Sequence, residues 1–168
     1  SKAIVARTLF HADNAYYLPN ASFRGYLCKT NTVSNTAFRG FGGPQGMLAI
    51  ENIIEEIAYN LEVDSLEVRM VNYYQQKSNN ITPYMQVVED NIISEITTQL
   101  VDDSGYEKRR KKVAKFNQQN QYLKKGLALS PVKFGISFTT SLLNQAGALV
   151  HVYKDGSIYL NHGGTEMG

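Results

Sequence analysis

Tryptophan is absent from this chain, and cysteine occurs once, at Cys28. A single thiol excludes an internal disulfide and suits a reducing compartment. The three histidines, His11, His151 and His162, lie far apart with no cysteine pair beside them. The ligand spacing of a zinc site is therefore missing, and no metal ligand is assigned. His11 reads instead as a hydrogen-bonded structural histidine. Long apolar runs are lacking too: none spans a bilayer, and residues 1–7 have no signal-peptide core. A cytoplasmic location with no membrane partner is the expectation. A net charge of +2 argues neither way on nucleic acid. The one basic run, Lys108-Arg109-Arg110-Lys111-Lys112 with Lys115, has no interleaved aromatics. It reads as an exposed helix face, and no nucleic-acid partner is expected.

What is present is globular. Among 168 residues, 43% are hydrophobic and 19% charged, enough to bury a core and too little charge for a disordered tail. The chain lacks an initiating Met and stops in a Gly-rich motif, so a piece of a longer protein is expected. Between residues 3 and 27, β-branched and aromatic residues broken at Asp13-Asn14 and Pro19-Asn20 predict two or three strands. Met47, Ile50, Ile54, Ile57, Ala58 and Leu61 then share one helical face. Glu51, Asn52, Glu55 and Glu56 fall on the other, which reads as solvated. Asp64-Ser65-Leu66-Glu67 has the form of a capping box before a short helix. Residues 75–83 read as a loop. Val88, Ile92, Ile93, Ile96 and Leu100 predict a third helix stopped by Asp102-Asp103-Ser104-Gly105, and Tyr106, Val113 and Phe116 a fourth. From Leu127 the period changes to two, through Phe134, Ile136 and Phe138 and then Ala146, Ala148, Val150 and Val152. Asp155-Gly156 marks a hairpin turn before Ile158 and Leu160. The class is α+β: strands, then helices, then a β-hairpin.

The most unusual stretch is Asn35-Thr36-Ala37-Phe38-Arg39-Gly40-Phe41-Gly42-Gly43-Pro44-Gln45-Gly46. Its glycines alternate with two rings and a guanidinium and lead into a helix that Pro44 suits as first residue. No Lys follows Gly43, which excludes a Walker loop, and the glycine spacing misses the dinucleotide fingerprint. Two readings stay open on spacing alone: rings that plug a core, or backbone donors aimed at an anion.

Residues 31–45, ending in the Phe38-Arg39-Gly40-Phe41-Gly42-Gly43-Pro44-Gln45 run, resemble the molybdopterin-binding region of xanthine dehydrogenases. So do Lys133-Phe134-Gly135-Ile136-Ser137-Phe138-Thr139 with Asn144-Gln145-Ala146-Gly147-Ala148, and His162-Gly163-Gly164-Thr165-Glu166-Met167-Gly168. The three blocks come in the family's order. The resemblance implies a partial molybdopterin-binding domain over 1–168, with roughly 1–125 as one subdomain and 126–168 beginning a second. It implies a molybdenum hydroxylase that oxidises hypoxanthine or xanthine to urate with water as oxygen source. Electrons would leave through 2Fe-2S clusters and FAD, on partner domains or a partner subunit, to NAD. Aldehyde oxidase, another N-heterocycle hydroxylase, or a non-catalytic domain of the same fold are the alternatives.

The resemblance also implies roles. Arg39, Phe38 and Gly40 would hold molybdenum-molybdopterin. Phe41 and Phe138 would flank a flat heteroaromatic substrate, with Thr139 beside the second ring. Animal xanthine oxidases carry a purine-contacting arginine where Tyr26 stands here, so Tyr26 is the substrate candidate that departs from the pattern, with Arg24 two residues earlier. The family's catalytic glutamate is expected outside this chain; Glu166 is in the wrong motif for it. Residues 1–168 alone are therefore expected neither to turn over substrate nor to hold the pterin tightly.

Overall fold

A helix forms where β-branched residues favoured strands. The computed structural model describes residues 1–35 and 37–164, and in it α1 spans Lys2–Phe10. The Ser1 hydroxyl caps it by accepting from the Ile4 N–H at 3.5 Å. Beyond α1, residues 17–27 hold no strand; Tyr16 makes only an isolated bridge to Tyr73. The strands expected over 3–27 are thus replaced by a helix and extended coil. The physical reason is tertiary. α1 crosses the start of α2 (Gly43–Leu61), and a packed helix overrides the weak β-preference of Ile4, Val5 and Thr8.

That crossing depends on two glycines. A Cβ on Gly42 would stand 2.2 Å from the Ile4 carbonyl oxygen, and one on Gly46 would stand 2.3 Å from that of Thr8. Gly42 also caps α2 with φ 109°, a conformation open to glycine and costly for other residues. The Thr8 hydroxyl donates to the Gly42 carbonyl at 3.0 Å, completing the contact.

α2 buries Ile50, Ile54 and Ala58 against Ala15, Tyr16, Val68 and Tyr73, while Ile57 and Leu61 of the expected stripe are exposed. Asn52, Glu55 and Glu56 are exposed, as a solvated face requires, but Glu51 is half-buried, and Glu51 and Glu55 share a buried partner. The fully buried Arg69 of α3 (Ser65–Val71) bridges them, Nε to Glu51 at 2.8 Å and Nη2 to Glu55 at 2.6 Å. Burial alone would raise the Glu55 carboxyl, but hydrogen bonds from Arg69 and Ser65 hold it below its ordinary value. Periodicity placed both glutamates off the apolar stripe; it could not show an arginine arriving from another helix.

The Asp64 cap is as expected, its Oδ1 accepting from the Leu66 N–H at 2.9 Å. Residues 75–83 form a loop. α4 (Ile93–Ser104) ends at Gly105, and α5 (Tyr106–Gln119) follows at once. Thr97, not the Ile92–Ile96–Leu100 stripe, is the buried residue of α4. The basic face of α5 is mostly exposed; Arg110 alone of the basic run is shown turning back, to Asp64 at 2.7 Å.

A single-turn 3-10 helix at Ser141–Leu143 precedes the hairpin of β1 (Ala148–Val152) and β2 (Ile158–His162). Val150 pairs with Leu160 in antiparallel register. Between 127 and 138, where alternation also predicted strand, the backbone is extended but joins no sheet among the described residues. The α+β class stands. No helix among the described residues is long and apolar enough to cross a membrane.

Candidate functional site

Gly40, Phe41 and Gly42 take φ of 89°, 49° and 109° in succession. Two chained turns hold them: the Phe41 N–H donates to the Phe38 carbonyl and the Gly43 N–H to that of Gly40, each at 2.8 Å. A phenylalanine at positive φ is sterically costly, and such positions concentrate at functional loops. The consequence here is directional. The Phe41 ring is brought to Phe138, with centroids 5.9 Å apart and planes inclined at 54°.

Phe138 arrives from a segment suspended on side chains. The Arg7 guanidinium donates to the carbonyls of Gly135 and Ser137 through Nη1 and Nη2. His11 Nε2 lies 3.0 Å from the Gly135 N–H, and His11 Nδ1 lies 2.8 Å from the Arg7 carbonyl. Asn14 donates to the Pro131 carbonyl at 2.9 Å and accepts from the Lys133 N–H at 3.1 Å. Lys133 Nζ pairs with the buried Asp13. The structural reading of His11 is borne out: it is buried, and both ring nitrogens are engaged.

Between this segment, α1 and the 82–89 loop lies a cavity of about 540 Å³ lined by Arg7, His11, Tyr84, Phe134, Phe138 and Thr139, among others. It unites a cation, rings and a hydroxyl. Of the residues expected at the substrate, Phe138 and Thr139 line it, and Phe41 abuts Phe138. Tyr26 does not; it is 78% exposed. Phe38 and Arg39 lie on the outer side of the loop, Phe38 being 86% exposed. Thr36, and the last motif's Thr165, Glu166, Met167 and Gly168, lie outside the described residues.

Sequence reasoning missed Arg7. It is 3% exposed, and its Nε has no hydrogen-bond partner among the described residues. Its buried guanidinium lines the cavity, although Arg7 stands 19 residues before Tyr26 and 17 before Arg24 in the chain. The only signal was an arginine inside an apolar segment, which became meaningful once that segment proved helical.

Family models described as molybdopterin cofactor-binding domain match residues 1–73 and 99–168. The chain belongs to that family. Over its whole length it is 49% identical to xanthine dehydrogenase of Dictyostelium discoideum and 50% identical to xanthine dehydrogenase/oxidase of Mus musculus. It is also 49% identical to nicotinate hydroxylase of Emericella nidulans. The chain spans 12% of the length of each of these relatives.

The loop over 38–43 suits such a group in chemical type. No acceptor among the described residues meets the N–H groups of Gly40 and Gly42. They stand at the head of α2, where the helix dipole favours negative charge, beside the exposed Arg39. Backbone donors, a helix start and a guanidinium match the phosphate and oxo groups of a molybdenum-pterin. No cluster of three metal-ligating side chains occurs among the described residues.

Proposed function

We propose that this chain forms one wall of the active site of a molybdenum hydroxylase acting on hypoxanthine and xanthine. In this reading water supplies the oxygen of urate, and electrons leave through 2Fe-2S clusters and FAD on other domains or a partner subunit to NAD. The observation that carries it is the cavity joining Arg7, Phe138 and Thr139, with Phe41 against Phe138. When bound, the molybdenum group supplies the oxygen transfer and the two-electron chemistry. The chain supplies placement. Arg39, Phe38 and Gly40 hold the pterin side. Phe41 and Phe138 grip a flat ring by stacking and exclude water from it. Arg7 and Lys133 line the cavity as the cations that a purine's oxygen or anionic nitrogen would meet, and Thr139 adds a hydroxyl. The catalytic base comes from outside this chain. An exposed, unpaired Cys28 accords with a cytoplasmic setting.

A second reading rests on the equal identity to nicotinate hydroxylase: Arg7 would suit a ring carboxylate as well as a purine. The test uses the full-length holoenzyme with xanthine, nicotinate and an aromatic aldehyde. Xanthine should give the highest kcat/KM. Arg7→Met should lower it about 10–100-fold, the value of a hydrogen bond to a charged group; because Arg7 also holds the segment bearing Phe138, turnover of the uncharged aldehyde should fall too, but by less. Preference for the aldehyde in the wild-type enzyme would remove the purine assignment.

A further inference from the structure

We infer that His11 is a positioning residue for substrate binding: as hydrogen-bond acceptor at Nε2 it sets where the segment bearing Phe138 and Thr139 stands. The inference rests on the reading of Phe41 and Phe138 as the substrate slot.

The tautomer is determined twice over. The Arg7 carbonyl, 2.8 Å from Nδ1, can only accept, so Nδ1 carries the hydrogen. The Gly135 N–H, 3.0 Å from Nε2, can only donate, so Nε2 must offer a lone pair. The ring is 5% exposed and lies 4.9 Å from Phe134, whose own ring packs on the Gly43 backbone. Arg7 and His11 are four residues apart and therefore neighbours on one face of the helical turn. Together they hold Gly135 N–H, Gly135 C=O and Ser137 C=O, three main-chain groups that a neighbouring strand would otherwise pair. Phe138 is the next residue. A second proton on His11 would set N–H against N–H at Gly135. Burial first, then the cations of Arg7 and Lys133, hold the imidazole below its ordinary value, while the Arg7 carbonyl and Asp13 act the other way. The neutral form thus persists, and loosening belongs to acid pH.

The test compares His11→Gln, His11→Asn and His11→Leu in the full-length holoenzyme. Gln reaches Gly135 with an acceptor; Asn keeps only a donor for the Arg7 carbonyl; Leu keeps neither. Exchange of the amides in 131–139 should quicken about tenfold in the Asn and Leu variants and stay near wild type in Gln. KM for xanthine should rise about tenfold in Asn and Leu with kcat within threefold, and Gln should restore it. In the wild type KM should rise as pH falls below the ordinary histidine value. Wild-type KM in the Asn variant, a fall confined to kcat, or a Gln variant as impaired as Asn would each overturn the role. If Leu does not fold, the Gln and Asn pair decides. If the wild-type enzyme oxidises no purine, the proposed function falls, while the exchange comparison still decides whether His11 orders the segment.

Discussion

Two stretches near the C-terminal end share one pattern and take different partners. Residues 148–162 alternate and pair with themselves, Ala148 with His162 through Val152 with Ile158, leaving every strand residue exposed. Residues 131–138 alternate as well, yet their main-chain groups are satisfied by Arg7, His11 and Asn14. Alternation specifies an extended backbone; it does not specify what bonds it. A turn signal within ten residues does, as Asp155-Gly156 shows, since pairing is then local. Where the partner lies about 120 residues away, the pattern is silent.

The largest expected effect breaks the long-range case alone. Gly42→Ala would combine positive-φ strain, about 1–3 kcal/mol, with a clash against α1 worth about 1–3 kcal/mol more. Hydrogen exchange in the full-length protein should quicken across α1 and 131–138 and leave the hairpin unchanged. Gly156→Ala is the mirror experiment. With φ 82° and open space around it, only the conformational cost of about 1–2 kcal/mol applies, and exchange should quicken in 148–162 alone.

The smallest effect separates the two by pH. His11 is held below its ordinary value of 6.5, so its contribution is complete above that pH and is lost as pH falls through the lower folded-state value. Asp155 is held below 3.8 by the Ser157 hydroxyl and amide, so its turn contact persists until pH falls below that value. Between these values the exchange of 131–138 should rise while the hairpin holds. Equal sensitivity of both would show that His11 does not order the segment.

Legibility followed the range of the interactions. The cap at Asp64, the stop at Gly105, the 75–83 loop and the hairpin each depend on residues a few positions apart, and each forms where the residues indicated. α1 was misread because its β-branched residues are helical only against Gly42 and Gly46. The pairing of Glu51 and Glu55 was missed because Arg69 comes from a different helix. At the site, the motif residues Phe41, Phe138 and Thr139 were nameable, but Arg7 was not.

Read alone, the chain contains its family, its class and its local punctuation, because caps, turns and motif order are properties of neighbouring residues. Which charge lies beside the paired rings, and which side chains hold the extended segment there, was settled by packing. Burial of Arg7 and His11 exists only once α1 lies on the glycine start of α2 and the 131–138 backbone closes over them.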